Sequence, residues 1–88
     1  MYRFKASSKF KKQYKKLNQK EKEITKKIIN KLLNDEILEL KYKDHKLIGK
    51  YAGFRECHIK PDLLLIYKKE NNALILVCIA IGSHSDLF

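Results

Sequence analysis

Eighty-eight residues suffice for one hydrophobic core and not for two, and 44% hydrophobic residues are too many for a disordered tail. With 18 Lys and 2 Arg against 4 Asp and 6 Glu, the net charge of +10 excludes indifference to polyanions; nucleic acid, an anionic membrane or an acidic protein is the expected partner. The longest apolar run, Ala73 to Ile81, is nine residues, under half a membrane span, and the absence of an apolar leader together with only two cysteines leads us to expect a cytoplasmic protein with reduced thiols.

In chain order, Tyr2, Phe4 and Ala6 alternate with polar neighbours and predict a short opening strand. Ser7 or Ser8 can cap a first helix, in which Phe10, Tyr14 and Leu17 recur at helical spacing. Asn18 followed by Glu21 forms a capping-box pattern for a second helix. Ile24, Ile28 and Leu32 form its apolar stripe, and Asn34-Asp35 ends it. Phe54–Ile59, Leu63–Lys68 and Ala73–Ile81 predict three strands joined by tight turns at Lys60-Pro61-Asp62 and Glu70-Asn71-Asn72. Short turns enforce antiparallel pairing. The expected fold is a single α+β domain over 1–88: an antiparallel sheet with two N-terminal helices packed on one face.

The charge is concentrated. Residues 1–43 hold 13 Lys and 1 Arg against 5 acids, whereas residues 44–88 hold 5 Lys and 1 Arg against 5 acids. The lysine-rich helices therefore suit contact with a phosphate backbone, an electrostatic interaction that weakens with salt. All three histidines, His45, His58 and His84, lie in the nearly neutral half, where specific chemistry is expected.

His58 sits in Arg55-Glu56-Cys57-His58-Ile59-Lys60-Pro61-Asp62. Strand alternation puts Glu56 and His58 on one face, with Arg55 and Cys57 on the other, and the turn is expected to bring Asp62 back near His58. Histidine exchanges protons near neutral pH, as acid–base chemistry on a phosphodiester requires, and Lys60 or Arg55 could balance charge developing on phosphoryl oxygens. His84, between two serines after Gly82, would be held by docking of Leu87 and Phe88. His45 follows Lys43-Asp44 in a polar connection. A metal site is not expected: no CxxC or HxxxH spacing occurs, and adjacent Cys57 and His58 diverge on a strand, which also argues against a Cys–His nucleophile.

Asp44-His45-x-Leu47-x-Gly49, then Arg55-Glu56-Cys57-His58-Ile59-Lys60-Pro61-Asp62 running into Leu63–Tyr67, then Gly82-Ser83-His84-Ser85-Asp86-Leu87-Phe88, closely resemble the YafQ branch of the RelE-type toxins, the toxin halves of bacterial type II toxin–antitoxin pairs. The resemblance covers 44–88; residues 1–43 agree only as a strand followed by two basic helices. It implies a metal-independent, cofactor-free endoribonuclease that cuts messenger RNA on the ribosome, with catalytic residues at His45, His58, Asp62 and His84 and an RNA-contacting aromatic at Phe88. It also implies neutralisation by an acidic cognate antitoxin, with operator DNA bound only through that complex.

The sequence departs from the family at Leu63, where relatives often carry a large aromatic, and at Ala80, where many carry arginine. Phosphate stabilisation would then fall to Lys50, Arg55, Lys60 or ribosomal RNA. The same departures support an alternative, a catalytically silent toxin-like module that binds RNA or antitoxin in transcriptional autoregulation. A peripheral membrane role is not expected, because the apolar stripe of the second helix is better used as core.

Overall fold

The computed structural model describes all 88 residues, Met1–Phe88. A strand, β1 (Arg3–Ala6), leads into helices α1 (Ser8–Lys15) and α2 (Gln19–Leu33). A connection with a 3-10 turn at Leu40–Tyr42 follows, then a two-residue strand, β2 (His45–Lys46), and a second 3-10 turn at Gly49–Tyr51. The chain closes with β3 (Arg55–Lys60), β4 (Leu63–Glu70), β5 (Ile75–Gly82) and a four-residue helix, α3 (His84–Leu87).

The sheet runs β1-β5-β4-β3-β2. The three long strands form the expected antiparallel meander, and β2 pairs antiparallel with β3. The sheet as a whole is mixed, however, because β1 pairs with β5 in parallel. A parallel neighbour cannot be reached by a tight turn; here all the intervening elements separate the two strands, and short-range turn signals carry no information about such a pairing. No helix is long and apolar enough to cross a membrane.

Both main helices start as the sequence predicts. Ser7 Oγ accepts from the Phe10 amide at 3.0 Å. Asn18 Oδ1 accepts from the Glu21 amide at 2.8 Å while Glu21 Oε1 accepts from the Asn18 amide at 3.0 Å, a complete capping box that satisfies otherwise orphaned donors. Where β1 stops, α1 takes over the free edge of β5. The Ser7 hydroxyl donates to the Ile79 carbonyl at 2.5 Å, and the Ile81 amide donates to Gln13 Oε1 at 2.8 Å, so backbone groups the ladder would leave unpaired are satisfied.

The two sheet faces differ. Phe10, Ile28 and Leu32 of the helices pack against Cys57, Ile59, Leu65, Tyr67, Leu76 and Cys78 to form the main core. On the opposite face Leu64, Ile66, Ala80 and Leu87 form a smaller cluster, covered in part by α3. Burial raises the Cys57 thiol far above its ordinary value and pushes Cys78 up to about 12; both are inert core thiols rather than nucleophiles. Leu65 is fully buried in the main core and Ile37 is 97% exposed. Leu65→Ala is therefore expected to destabilise by about 2–5 kcal/mol and Ile37→Ala to change stability by under about 0.5 kcal/mol, a contrast that denaturant unfolding will measure.

Candidate active site

The period of two along β3 sends Cys57 and Ile59 under the helices and turns Glu56 and His58 to the opposite face. β2 lies at the sheet edge with His45 directly opposite Glu56. Glu56 is only 4% exposed. Its Oε1 lies 3.5 Å from His45 Nε2 and 3.7 Å from His58 Nε2, with the two imidazole centroids 6.5 Å apart. These are ion-pair rather than hydrogen-bond distances. The His45 ring is fixed from its other side by Nδ1, 2.6 Å from the Lys43 carbonyl. A carbonyl can only accept, so Nδ1 carries hydrogen and neutral His45 presents the Nε2 lone pair beside Glu56. A proton taken there forms an imidazolium next to a carboxylate, a favourable pair in a partly desolvated site. His58 Nε2 stands beside the same carboxylate.

Strand alternation places Glu56 on this face but does not by itself mark it as a site residue. Its signal is a carboxylate two positions from a histidine in a strand whose neighbour carries a second histidine. Asp62 is exposed at the β3–β4 turn, and the carboxylate within ion-pair distance of His58 is Glu56. The register of β3 against β4 shifts between His58 and Lys60, just before that turn.

The basic candidates separate. Arg55 points to the other side of β3, where Nε donates to Asp44 Oδ1 at 3.3 Å and the Tyr67 hydroxyl donates to the same oxygen at 2.5 Å. Partial burial opposes its charge, but hydrogen bonds and attraction to Asp44 and Tyr67 prevail and hold the guanidinium above its ordinary value. Arg55 lines a cavity of about 840 Å³ with Asp44, Tyr67 and Lys69, away from the imidazoles. Lys60 Nζ lies 2.6 Å from Glu21 Oε2, a contact that draws the Glu21 carboxyl below its usual range and ties α2 to the end of β3. A second cavity, of about 410 Å³, brings Lys41, Tyr42 and Lys43 together with His58 and Lys60. Lys41 and Lys43, unremarked among so many lysines, are thus the cations that share a concavity with a candidate catalytic histidine.

His84 opens α3, and its ring meets Phe88 edge to face at 5.3 Å; Phe88 also meets Tyr51 edge to face at 5.4 Å, with Lys50 Nζ 5.4 Å from the Tyr51 ring. Phe88 stays 54% exposed, whereas Leu87 beside it is buried. His84, Phe88 and Lys50 therefore belong to one aromatic corner. It adjoins the imidazole pair through the sheet, since His58 pairs with Leu64 and Leu64 with Gly82, two residues before His84. Gly82 has a packing reason: a Cβ there would meet Asp86 Cβ at 3.1 Å and Oδ2 at 3.2 Å.

With that geometry established, the family profile described as "Bacterial toxin of type II toxin-antitoxin system, YafQ" matches residues 2–88. The chain belongs to the YafQ toxin family. It is 43% identical over 47 residues to the mRNA interferase toxin YafQ of Escherichia coli strain K12, a match covering 53% of this chain and 49% of that protein. Matched stretches span only between 35% and 49% of the length of the curated YafQ relatives. The solved structures are similar throughout. A metal-bound toxin from Helicobacter pylori superposes with a TM-score of 0.88 at 39% identity, covering all of both chains. YafQ in the E. coli DinJ–YafQ complex superposes with a TM-score of 0.84 at 29% identity, covering 100% of this chain and 99% of that one.

The corner at His84 is held by a reciprocal cap. Ser83 N–H donates to Asp86 Oδ2 at 3.1 Å, and Asp86 N–H donates to Ser83 Oγ at 3.3 Å. The bond from the Ser83 amide draws the Asp86 carboxyl below its ordinary value of 3.8. A lowered folded-state value means that the cap contributes fully above 3.8 and is lost as pH falls through that lower value. Acidification below 3.8 is therefore expected to loosen α3 before the sheet unfolds, and Asp86→Asn to loosen it at neutral pH, both read as loss of the Tyr51–Phe88 contact by NMR.

Proposed function

We propose that this chain is an endoribonuclease toxin that cuts messenger RNA on the ribosome and is neutralised by an acidic cognate antitoxin. The observation that carries the reading is the convergence of His45 and His58 on buried Glu56, beside a cavity lined by lysines. The naming of an E. coli relative as an mRNA interferase and the DinJ–YafQ complex support it.

In the proposed reaction a ribose 2′-oxygen attacks the adjacent phosphorus. The 2′-oxygen–phosphorus bond forms and the bond to the 5′-oxygen breaks, leaving a 2′,3′-cyclic phosphate and a 5′-hydroxyl. His58 takes the 2′-hydroxyl proton, and Glu56 stabilises the resulting imidazolium. His84 delivers a proton to the departing 5′-oxygen. His45, with its tautomer fixed by the Lys43 carbonyl, positions the phosphate. Lys41 and Lys43 offset negative charge on the phosphoryl oxygens, the part assigned to Arg55 and Lys60 from sequence; Arg55 acts instead through Asp44 and Tyr67 as a brace. Asp62 at the exposed turn is left to contact RNA or ribosome, Lys50 to hold the backbone near Tyr51, and Phe88 to stack on a base.

Exposed Lys9, Lys12, Lys16, Lys20 and Lys27 supply a sequence-independent grip on ribosomal phosphates. The reaction as written needs no metal, and the metal-bound Helicobacter toxin makes this worth testing directly.

Translating ribosomes kept in Mg²⁺ but stripped of transition metals, incubated with wild-type protein, should show message cuts by primer extension. His58→Ala and His84→Ala should each reduce the rate by about 10²-fold or more, and Glu56→Gln by at least about tenfold with the pH dependence altered. Wild-type rates in either histidine variant would refute the scheme. Absence of cuts from folded wild type would favour the silent module instead, in which buried Ala80 stands where many relatives carry an arginine.

A further inference from the structure

Two neighbours compete for the single ring hydrogen of neutral His45. Glu56 Oε1, 3.5 Å from Nε2, favours the tautomer with hydrogen on Nε2, because a carboxylate accepts strongly from an N–H. The Lys43 carbonyl, 2.6 Å from Nδ1, favours hydrogen on Nδ1. The carbonyl prevails on distance, and only its tautomer leaves the Nε2 lone pair free to take a proton in the site. The state of His45 therefore depends on what keeps the Lys43 carbonyl aimed.

The ladder supplies little of that constraint. β2 lies at the sheet edge and its register with β3 covers only two residue pairs, too short a pairing to be firm by itself. The Lys43 carbonyl shares one planar peptide unit with the Asp44 nitrogen, so its direction follows wherever Asp44 is fixed. Asp44 is fixed from the face opposite to His45. Its Oδ1 accepts from the Tyr67 hydroxyl at 2.5 Å and from Arg55 Nε at 3.3 Å. Arg55 and Tyr67 are direct partners across β3 and β4, so the two donors stand side by side on the sheet. Tyr67 is buried at 1% exposure, and burial, reinforced by the bond to Asp44, holds its hydroxyl well above its ordinary value, so it remains a donor. The consecutive side chains of Asp44 and His45 thus hold one backbone segment from both faces.

We infer that Asp44, Tyr67 and Arg55 are positioning residues that set the tautomer of His45 through the backbone, from the helix side of the sheet. The inference rests on the proposed reaction, in which His45 positions the phosphate. Without the cluster the Lys43 carbonyl turns away, and the ring hydrogen moves to Nε2, where it is donated to Glu56. That exchange impairs the site twice. The Nε2 lone pair is lost, and Glu56 is drawn toward His45 and away from His58, whose imidazolium it stabilises.

Long-range proton–nitrogen NMR of the full chain, at a pH where the imidazoles are neutral, reads the tautomer directly. Wild type should carry hydrogen on His45 Nδ1. Asp44→Ala removes the acceptor and Tyr67→Phe removes one hydroxyl from a buried ring; both should shift His45 mainly to the Nε2–H form, with circular dichroism checking the fold. Tyr67→Phe keeps the test valid if Asp44→Ala fails to fold. Asp44→Asn, whose amide oxygen still accepts from Tyr67, should retain most of the Nδ1–H form. Asp35→Asn, which neutralises the partner of Lys69 in the same cavity, should leave the tautomer unchanged. On translating ribosomes Tyr67→Phe should lower kcat at least about tenfold, with KM within about twofold of wild type. Retention of the Nδ1–H form in folded Tyr67→Phe or Asp44→Ala would overturn the assignment. An equal shift in Asp35→Asn, or a shifted tautomer with wild-type kcat, would also overturn it. If wild type cuts no message, the reaction reading fails, while the tautomer measurement still decides whether the cluster holds His45.

Discussion

One six-residue strand serves two environments at once. β3 must give the main core Cys57 and Ile59 while holding Glu56 and His58 on the other face, and the strict alternation of a strand makes these requirements inseparable. A slip of one residue would put a carboxylate and an imidazole under the helices and two apolar side chains in the site. The two main helices therefore fix the site from the other face of the sheet, reaching it directly only where Glu21 holds Lys60. They hold the register, and the register determines which side chains share a face with His45.

The few acidic residues are used in the same economical manner. Glu21 holds Lys60, Asp35 holds Lys69 at 2.7 Å, Asp44 joins Arg55 to Tyr67, and Asp86 closes the cap at α3. Each of these ties two elements or closes a terminus, so few are left to neutralise the helix surfaces. The exposed pairs add little stability individually; their effect is positional. The net charge of +10 is set by composition; these pairings decide where the acids lie, at junctions between elements rather than across the helix surfaces.

What the sequence disclosed follows the range of the interaction involved. The Ser7 cap, the Asn18–Glu21 box and the Lys60-Pro61-Asp62 turn are written within four residues and appear where expected. Strand alternation likewise separated Glu56 and His58 from Arg55 and Cys57. The parallel pairing of β1 with β5 depends on residues about seventy positions apart and has no local signature. The short β2 and α3 were missed because two and four residues show no periodicity, although both carry candidate histidines. The turn motif at Lys60-Pro61-Asp62 specifies a reversal and not the direction of its side chains, so it cannot say which carboxylate meets His58. The role of Glu56 emerged only when β2 supplied a second imidazole across the ladder.

That second imidazole also clarifies the consequence of Ala80. Ala80 pairs with Ile66, and Ile66 with Glu56, so the three occupy one row across the sheet with His45 at its edge. A cation at position 80 would point from that row toward Glu56, but there Ala80 is buried under the small cluster with Leu87. An alanine lets α3 settle closely onto the sheet, and the positive charge is instead presented from the Leu40–Tyr42 turn and Lys43 at the opposite margin of the site. Lys43 holds φ at 48°, a left-handed conformation that redirects the chain into β2 and aims its carbonyl at His45 Nδ1. One strained residue thereby couples placement of a lysine beside His58 to the tautomer of His45. In the proposed reaction, positive charge and proton acceptance are set by the same turn of backbone, which gives this chain a way to offset phosphate charge without an arginine in the central row.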